Sequence, residues 1–160
     1  MKTPQCIAIL VAVLNAAVFS AAAQTKPSLI YASPDDVKAA VARTKQTKTL
    51  TAVPIVAVSS FHLSAEFRAN PTPASLHEKN NELINVIGGS GTLIVGGTLK
   101  DEKRRDDSNL IGSGIDGGTN YALVKGSYIF VPAGTPHYFA AIGKGGLTIT
   151  TIYIPSRKDS

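Results

Sequence analysis

The chain has 160 residues, a formal net charge of +5, one cysteine and no tryptophan. That length supports one domain around a single core. Its basic residues are scattered. The one run, Lys103-Arg104-Arg105, is flanked by Asp101, Glu102, Asp106 and Asp107, so the uncompensated basic face of a nucleic-acid binder is excluded.

Residues 1–23 read as a leader. Lys2 gives a basic start, Ile7 to Phe19 is apolar apart from Asn15, and Ala21-Ala22-Ala23 supplies small residues before Gln24. The apolar span is shorter than the roughly 20 residues of a membrane helix and suits a secretory signal. Cleavage before Gln24 removes Cys6 and predicts a periplasmic or secreted protein without disulfides, held together by packing and free of the membrane.

Residues 24–32 read as an exposed arm. Ser33-Pro34-Asp35-Asp36 carries the signals of a helix start: a serine N-cap, proline at the first position and acids in the first turn. Val37, Ala40 and Val41 form a short apolar stripe, which predicts one helix of about ten residues packed across the outside of the strands downstream.

From Thr49 onward the pattern is that of strands: Thr49 to Val58, His62 to Ala69, Glu82 to Ile87, Thr92 to Thr98, Asn120 to Val124, Tyr128 to Val131, His137 to Ile142 and Leu147 to Ile154. Gly88-Gly89-Ser90-Gly91 and Gly143-Lys144-Gly145-Gly146 read as turns, Gly96-Gly97 as a bulge or close backbone approach, and Lys100 to Ser108 as a solvated loop. Gly112 to Gly118 lacks the following lysine of a phosphate loop. Many short strands with frequent turn signals predict an all-β barrel or jelly roll.

The stretch from Gly126 to His137 organises the rest. Tyr128 to Val131 favours a half-buried strand. Pro132 fixes φ and Gly134 permits φ > 0, so the chain turns a tight corner. His137 then opens the next strand, with Phe139 and Ala141 expected on its face.

Upstream, Ser75 and His77 share a strand face. Glu82, five residues beyond His77, reaches the inner side only after a polar turn at 78–81 resets the register. It then shares its face with Ile84 and Val86, and a carboxylate there needs a cation or hydrogen-bond partners. Two histidines and a carboxylate make a 2-His-1-carboxylate ligand set. Glu78 is the rival carboxylate, but it lies in the expected turn.

These two elements resemble the motifs of the cupin superfamily. The pattern G-x5-P-x-G-x2-H-x3-N is matched by Gly126, Pro132, Gly134 and His137, and G-x5-H-x-H-x3–4-E-x6-G by His77, Glu82 and Gly89. The resemblance covers residues 48–156, with a tail at 157–160. It implies a single cupin jelly-roll β-barrel with a site in its mouth, holding a divalent transition metal (Fe, Mn, Zn or Ni) on His77, Glu82 and His137. The sequence departs from the pattern at Ser75, where the family has its first histidine, at Ala141 in place of the final asparagine, and at Ala69 in place of the opening glycine. Ser75 is a candidate additional site residue, through its hydroxyl or a bound water.

Other polar residues receive plainer readings. His62 is expected at the surface, Glu66 and Arg68 as an outer or rim pair, and Tyr128, Phe130 and Phe139 as core or pocket wall. No general base stands out; Arg68, Tyr121 and Tyr128 are candidates. The resemblance implies a small exported metal-dependent enzyme acting on a small polar molecule, of oxygenase, isomerase or lyase type. The alternative is a metal-free binding or sensing module using the same pocket. Apolar residues opposite the Glu82 face, Leu83 and Ile87, point to a homodimer.

Overall fold

Ser33 starts the first element as the sequence predicts. In the computed structural model, which describes residues 31–46, 50, 52–58 and 61–156, its side chain accepts from the Asp36 amide. Asp36 in turn accepts from the Ser33 amide at 2.8 Å. This reciprocal box caps helix α1 (Pro34–Thr44). Ala40 of α1 is buried against Val53 and Ala65, so the helix covers the outer face of the first two strands. The leader, residues 24–30 of the arm, Thr49 and the tail at 157–160 lie outside the described residues.

Strands β1 (Ala52–Val58) and β2 (Phe61–Arg68) pair as an antiparallel hairpin. They are followed by β3 (Ala74–His77), the long β4 (Asn80–Val95), β5 (Thr98–Lys100), β6 (Lys103–Asp106), β7 (Asn109–Gly112), β8 (Gly114–Asp116), β9 (Thr119–Val124), β10 (Tyr128–Val131) and the long β11 (His137–Pro155). β11 is the spine: it pairs with β2, β3 and β4, and all three pairings are antiparallel. β9 and β10 lie against β4, while β3, β7 and β6 continue the sheet on the other side. Between the layers sits an apolar core of Ile84, Val86, Leu93, Leu123, Val131, Phe139, Leu147 and Ile149. At about 1.5–3 kcal/mol for each large buried side chain, this cluster is the main driving force of the fold.

Several sequence expectations are corrected. The glycine clusters at 88–91 and 143–146 are not hairpin turns, because β4 and β11 run through them as one long ribbon with register shifts. The two clusters meet. A Cβ on Gly89, whose φ is +76°, would overlap the Gly146 carbonyl oxygen. Paired glycines let the ribbon bend without separating its strands. Gly96 and Gly97 make the bend between β4 and β5 rather than a bulge within a strand, and the close backbone approach expected there is found at Gly97, where a Cβ would overlap the Asp116 carbonyl oxygen. Residues 100–108 are solvated as expected but are not all loop: Lys103–Asp106 form β6, which pairs with β7 although every one of its side chains is exposed. Tyr128 and Phe130, at 72% and 54% exposure, face outward, and of the three aromatics only Phe139 is core. Ala141 leaves the inward face because a register shift separates it from Phe139.

Candidate metal centre

Two turns bring the predicted ligands together. After His77, residues 78 and 79 bend the chain, and β4 begins at Asn80. The register is thereby reset, so Glu82, Ile84 and Val86 all point inward, as expected. The Pro132–Gly134 corner is pinned to the first motif by backbone and side chain. The Gly134 amide (φ +75°) donates to the His77 carbonyl at 2.8 Å, and the Ala133 amide donates to Asn81 Oδ1 at 3.0 Å. His137, first residue of β11, is paired with Ser75 of β3 on one side and Val95 of β4 on the other. Neighbouring strands therefore aim His77, Glu82 and His137 at one point, and their ligand atoms all lie within 4.8 Å of one another.

Glu82 Oε2 is 3.1 Å from His137 Nε2 and 3.6 Å from His77 Nε2. Ligand atoms about 2.1 Å from a shared ion stand about 3.0–3.4 Å apart at adjacent positions, a spacing close to that seen here. Each imidazole is held from its far side. His77 Nδ1 lies 2.5 Å from Asn109 Oδ1, and the Asn109 amide is oriented by donating from Nδ2 to Asp106 Oδ1. An amide oxygen only accepts, so Nδ1 of His77 carries the hydrogen. His137 Nδ1 likewise donates to the Thr135 carbonyl at 3.3 Å. Both Nε2 lone pairs then face the carboxylate, and Glu82 Oε2, fully buried, has no directed hydrogen bond among the described residues. Three mutually facing acceptors need a cation or a proton between them. That is the chemistry of a metal site with carbonyl oxygens orienting its histidines.

The proton affinities agree. Burial alone would raise the Glu82 carboxyl, but the two adjacent imidazoles outweigh it and hold its pKa far below the ordinary range. Burial disfavours a charged His77, yet the adjacent Glu82 carboxylate and the bond to Asn109 prevail, so its pKa is raised above 6.5.

The triad lines a cavity of about 580 Å³. Ser75 is there as expected, on the same face as His77. Tyr153, which the sequence reading misses, packs edge-on to His77 with ring centroids 5.1 Å apart. It is paired across the sheet with Glu82. Burial, then the fields of Glu82 and Glu66, push its phenol far above the usual tyrosine value, so it stays a hydroxyl donor. The tail of a 19-residue strand carries no local signal for such a role.

Glu66 and Arg68 are the main correction. They are not a rim pair: at 4% and 8% exposure they are buried in the cavity wall, joined by a 2.8 Å ion pair. Period-two spacing puts them on one face, but nothing local says that this face is the inner one. Of the general-base candidates, Arg68 is thus in the cavity while Tyr121 and Tyr128 are exposed. His62 is at the surface as expected. Glu78, the rival ligand, instead forms a two-pronged pair with Arg104 at 2.8 and 3.0 Å.

No family model matches the chain, and no curated protein matches its sequence. Solved structures do match in shape. Hydroquinone 1,2-dioxygenase PnpCD, determined with Cd2+ and 4-hydroxybenzonitrile, aligns with a TM-score of 0.56 at 15% identity, over 82% of this chain and 83% of that one. A protein from Bacillus halodurans gives 0.51 at 16% identity over 84% and 86%. One from Neisseria meningitidis gives 0.50 at 12% over 74% and 95%. Identities this low speak for the fold alone. With both motifs placed on the β3–β4 bend and the β10–β11 corner, the chain has the cupin jelly-roll fold. His77, Glu82 and His137 form a group able to hold a metal ion.

Proposed function

We propose that the protein is a metal-dependent enzyme that acts on a small polar molecule in the cavity. The observation that carries this reading is the buried Glu82 oxygen with no directed hydrogen bond, set between two imidazoles whose far nitrogens are already engaged. His77, Glu82 and His137 would hold Fe(II), Mn(II), Zn(II) or Ni(II). Three protein ligands leave positions for substrate oxygens. When bound, the ion supplies Lewis acidity to an oxygen of the substrate.

The chain's own residues supply the rest. Asn109 and the Thr135 carbonyl fix the imidazole tautomers, and Phe139 and Ile111 make part of the cavity wall apolar. Tyr153 keeps its proton on the hydroxyl, beside Glu82, as a donor to a reacting oxygen.

Metal analysis of purified protein tests the reading. Alanine at His77, Glu82 or His137 should each remove most of the metal, and His62→Ala should not. If wild type takes up none of the four ions and His77→Ala melts like the parent, the protein is instead a metal-free binding module.

Export is part of the proposal, supported by the apolar run before Ala21-Ala22-Ala23. Intact mass of the mature protein should begin at Gln24, and a retained Met1 on a membrane-bound form would count against it. A homodimer is supported by the exposed Tyr128 and Phe130. A monomer mass by light scattering at tens of micromolar would reject it.

A further inference from the structure

The cavity has a second polar wall, opposite in character to the triad. Arg68 is clamped there: one terminal nitrogen donates to Glu66 Oε2 at 2.8 Å and the other to Thr72 Oγ1 at 2.6 Å. Its guanidinium carbon lies 3.9 Å from the centre of the Phe139 ring. Glu66 is itself held by Thr151 Oγ1 at 3.1 Å. This arginine is therefore positioned in advance, and ordering it costs a ligand little.

Its Nε is buried and donates to no acceptor among the described residues. A buried N–H left without an acceptor is costly, and elsewhere in the cluster each clamping group is satisfied. Arg105 also lines the cavity, from the exposed strand β6, and has no ion pair among the described residues. The charges that line the cavity are Arg68 and Arg105 against Glu66 and Glu82, which cancel when both histidines are neutral. A divalent ion on the triad adds two positive charges with nothing on the walls to balance them.

We propose that the substrate is a small organic carboxylate, with the guanidinium groups of Arg68 and Arg105 reading its acid group and a second oxygen turned to the triad. The substrate class rests on the metal-enzyme reading for its charge count; the Arg68 anchor stands on burial and hydrogen bonding alone. A carboxylate accepts from the arginines and offsets one of the two excess positive charges. A neutral amide or alcohol meets the first need and leaves the second. Arginine is suited to this task because it stays charged and is weakly hydrated, so it serves a buried anion at low desolvation cost.

Calorimetric titration decides it, using lactate and mandelate against their shape-matched amides, lactamide and mandelamide. Protein as purified and protein loaded with Mn(II) are both titrated, and metal content is measured separately. The acids should bind about tenfold or more tighter than the amides. Arg68→Lys should remove most of that preference with bound metal unchanged. Arg105→Ala should weaken the acids about threefold or more and flatten their salt dependence. Amides that bind as tightly as acids, full discrimination in Arg68→Lys, or no binding of any of the four at millimolar concentration overturns the proposal. Should Arg68→Lys fail to fold, the wild-type acid-to-amide ratio and Arg105→Ala, at an exposed position, still decide. Protein that takes up no metal yet discriminates through Arg68 would reject the metal reading and keep the anchor. Protein that loads metal without acid preference would do the reverse.

Discussion

Replacing Asn109 by alanine isolates what the structure adds to the ligand triad. Asn109 is paired with His77 across β3 and β7 through the backbone, so truncating its side chain leaves the strand pairing intact. What is lost is the acceptor 2.5 Å from His77 Nδ1, together with the bond that Asp106 makes to the amide. Without that acceptor the ring is free to take the other tautomer or rotate, and Nε2 is no longer held towards Glu82 and His137. Groups that orient a metal-bound histidine are worth about 10–100-fold in affinity, or about 1.4–2.7 kcal/mol. That agrees with the range for hydrogen bonds to polarised partners. Asn109→Ala should therefore weaken Mn(II) or Zn(II) by one to two orders of magnitude, read by competition with a chromophoric chelator. Far-UV circular dichroism should match the parent. Asn109→Asp keeps an acceptor at the same reach and should recover most of the loss. If Asn109→Ala binds within about twofold of wild type, the carbonyl does not orient the ring and the argument from mutually facing lone pairs fails.

Gly89→Ala should destabilise the protein by at least about 3 kcal/mol in urea melts, from the strain of a positive φ and the clash with the Gly146 carbonyl. Gly145→Ala, with nothing near its Cβ, should stay within about 0.5 kcal/mol of the parent; equal effects at the two sites would refute the bent-ribbon account. The metal-free protein should respond to pH with a definite sign. His77, raised in the fold, contributes stability that is fully present below its unfolded value of 6.5 and is lost as pH rises through the folded pKa. Glu82, depressed, contributes stability present above 4.5 and lost only as pH falls through its lower folded value. The melting-temperature gap between wild type and His77→Gln should therefore shrink from about pH 6 to about pH 8.5 without metal. Metal binding needs neutral imidazoles, so the increment from added Zn(II) should grow over the same range; parallel trends would contradict the shared-proton geometry. Ser75→His, on the inward face beside His77 and paired with His137, should tighten metal about tenfold or more and reduce turnover, because it fills a position open to substrate. Turnover that rises with metal content would show that the open position is not used.

Local chemistry decided much of this protein before any contact was formed. The Ser33 box and Pro34 need only four neighbouring residues to start a helix. The Pro132-Ala133-Gly134 corner fixes its own dihedrals, and the two-residue bend after His77 turns Glu82 to the side of Ile84 and Val86. The jelly roll and its three candidate ligands are legible for that reason: each depends on spacing within a few residues. Tertiary structure decided what depends on pairing across the chain. Period two tells which residues share a face but not which face is inside, so sequence alone puts Glu66 and Arg68 on the outside or rim, and Tyr128 and Phe130 in the core or pocket wall. A glycine cluster reads as a turn until its partner cluster is known; Gly89 and Gly146, 57 positions apart in sequence, form one bend of one ribbon. Asn109 and Tyr153 reach His77 and Glu82 only through the pairings of β3 with β7 and of β4 with β11. Register across strands is set by the sum of many buried contacts, and no short window of sequence contains that sum.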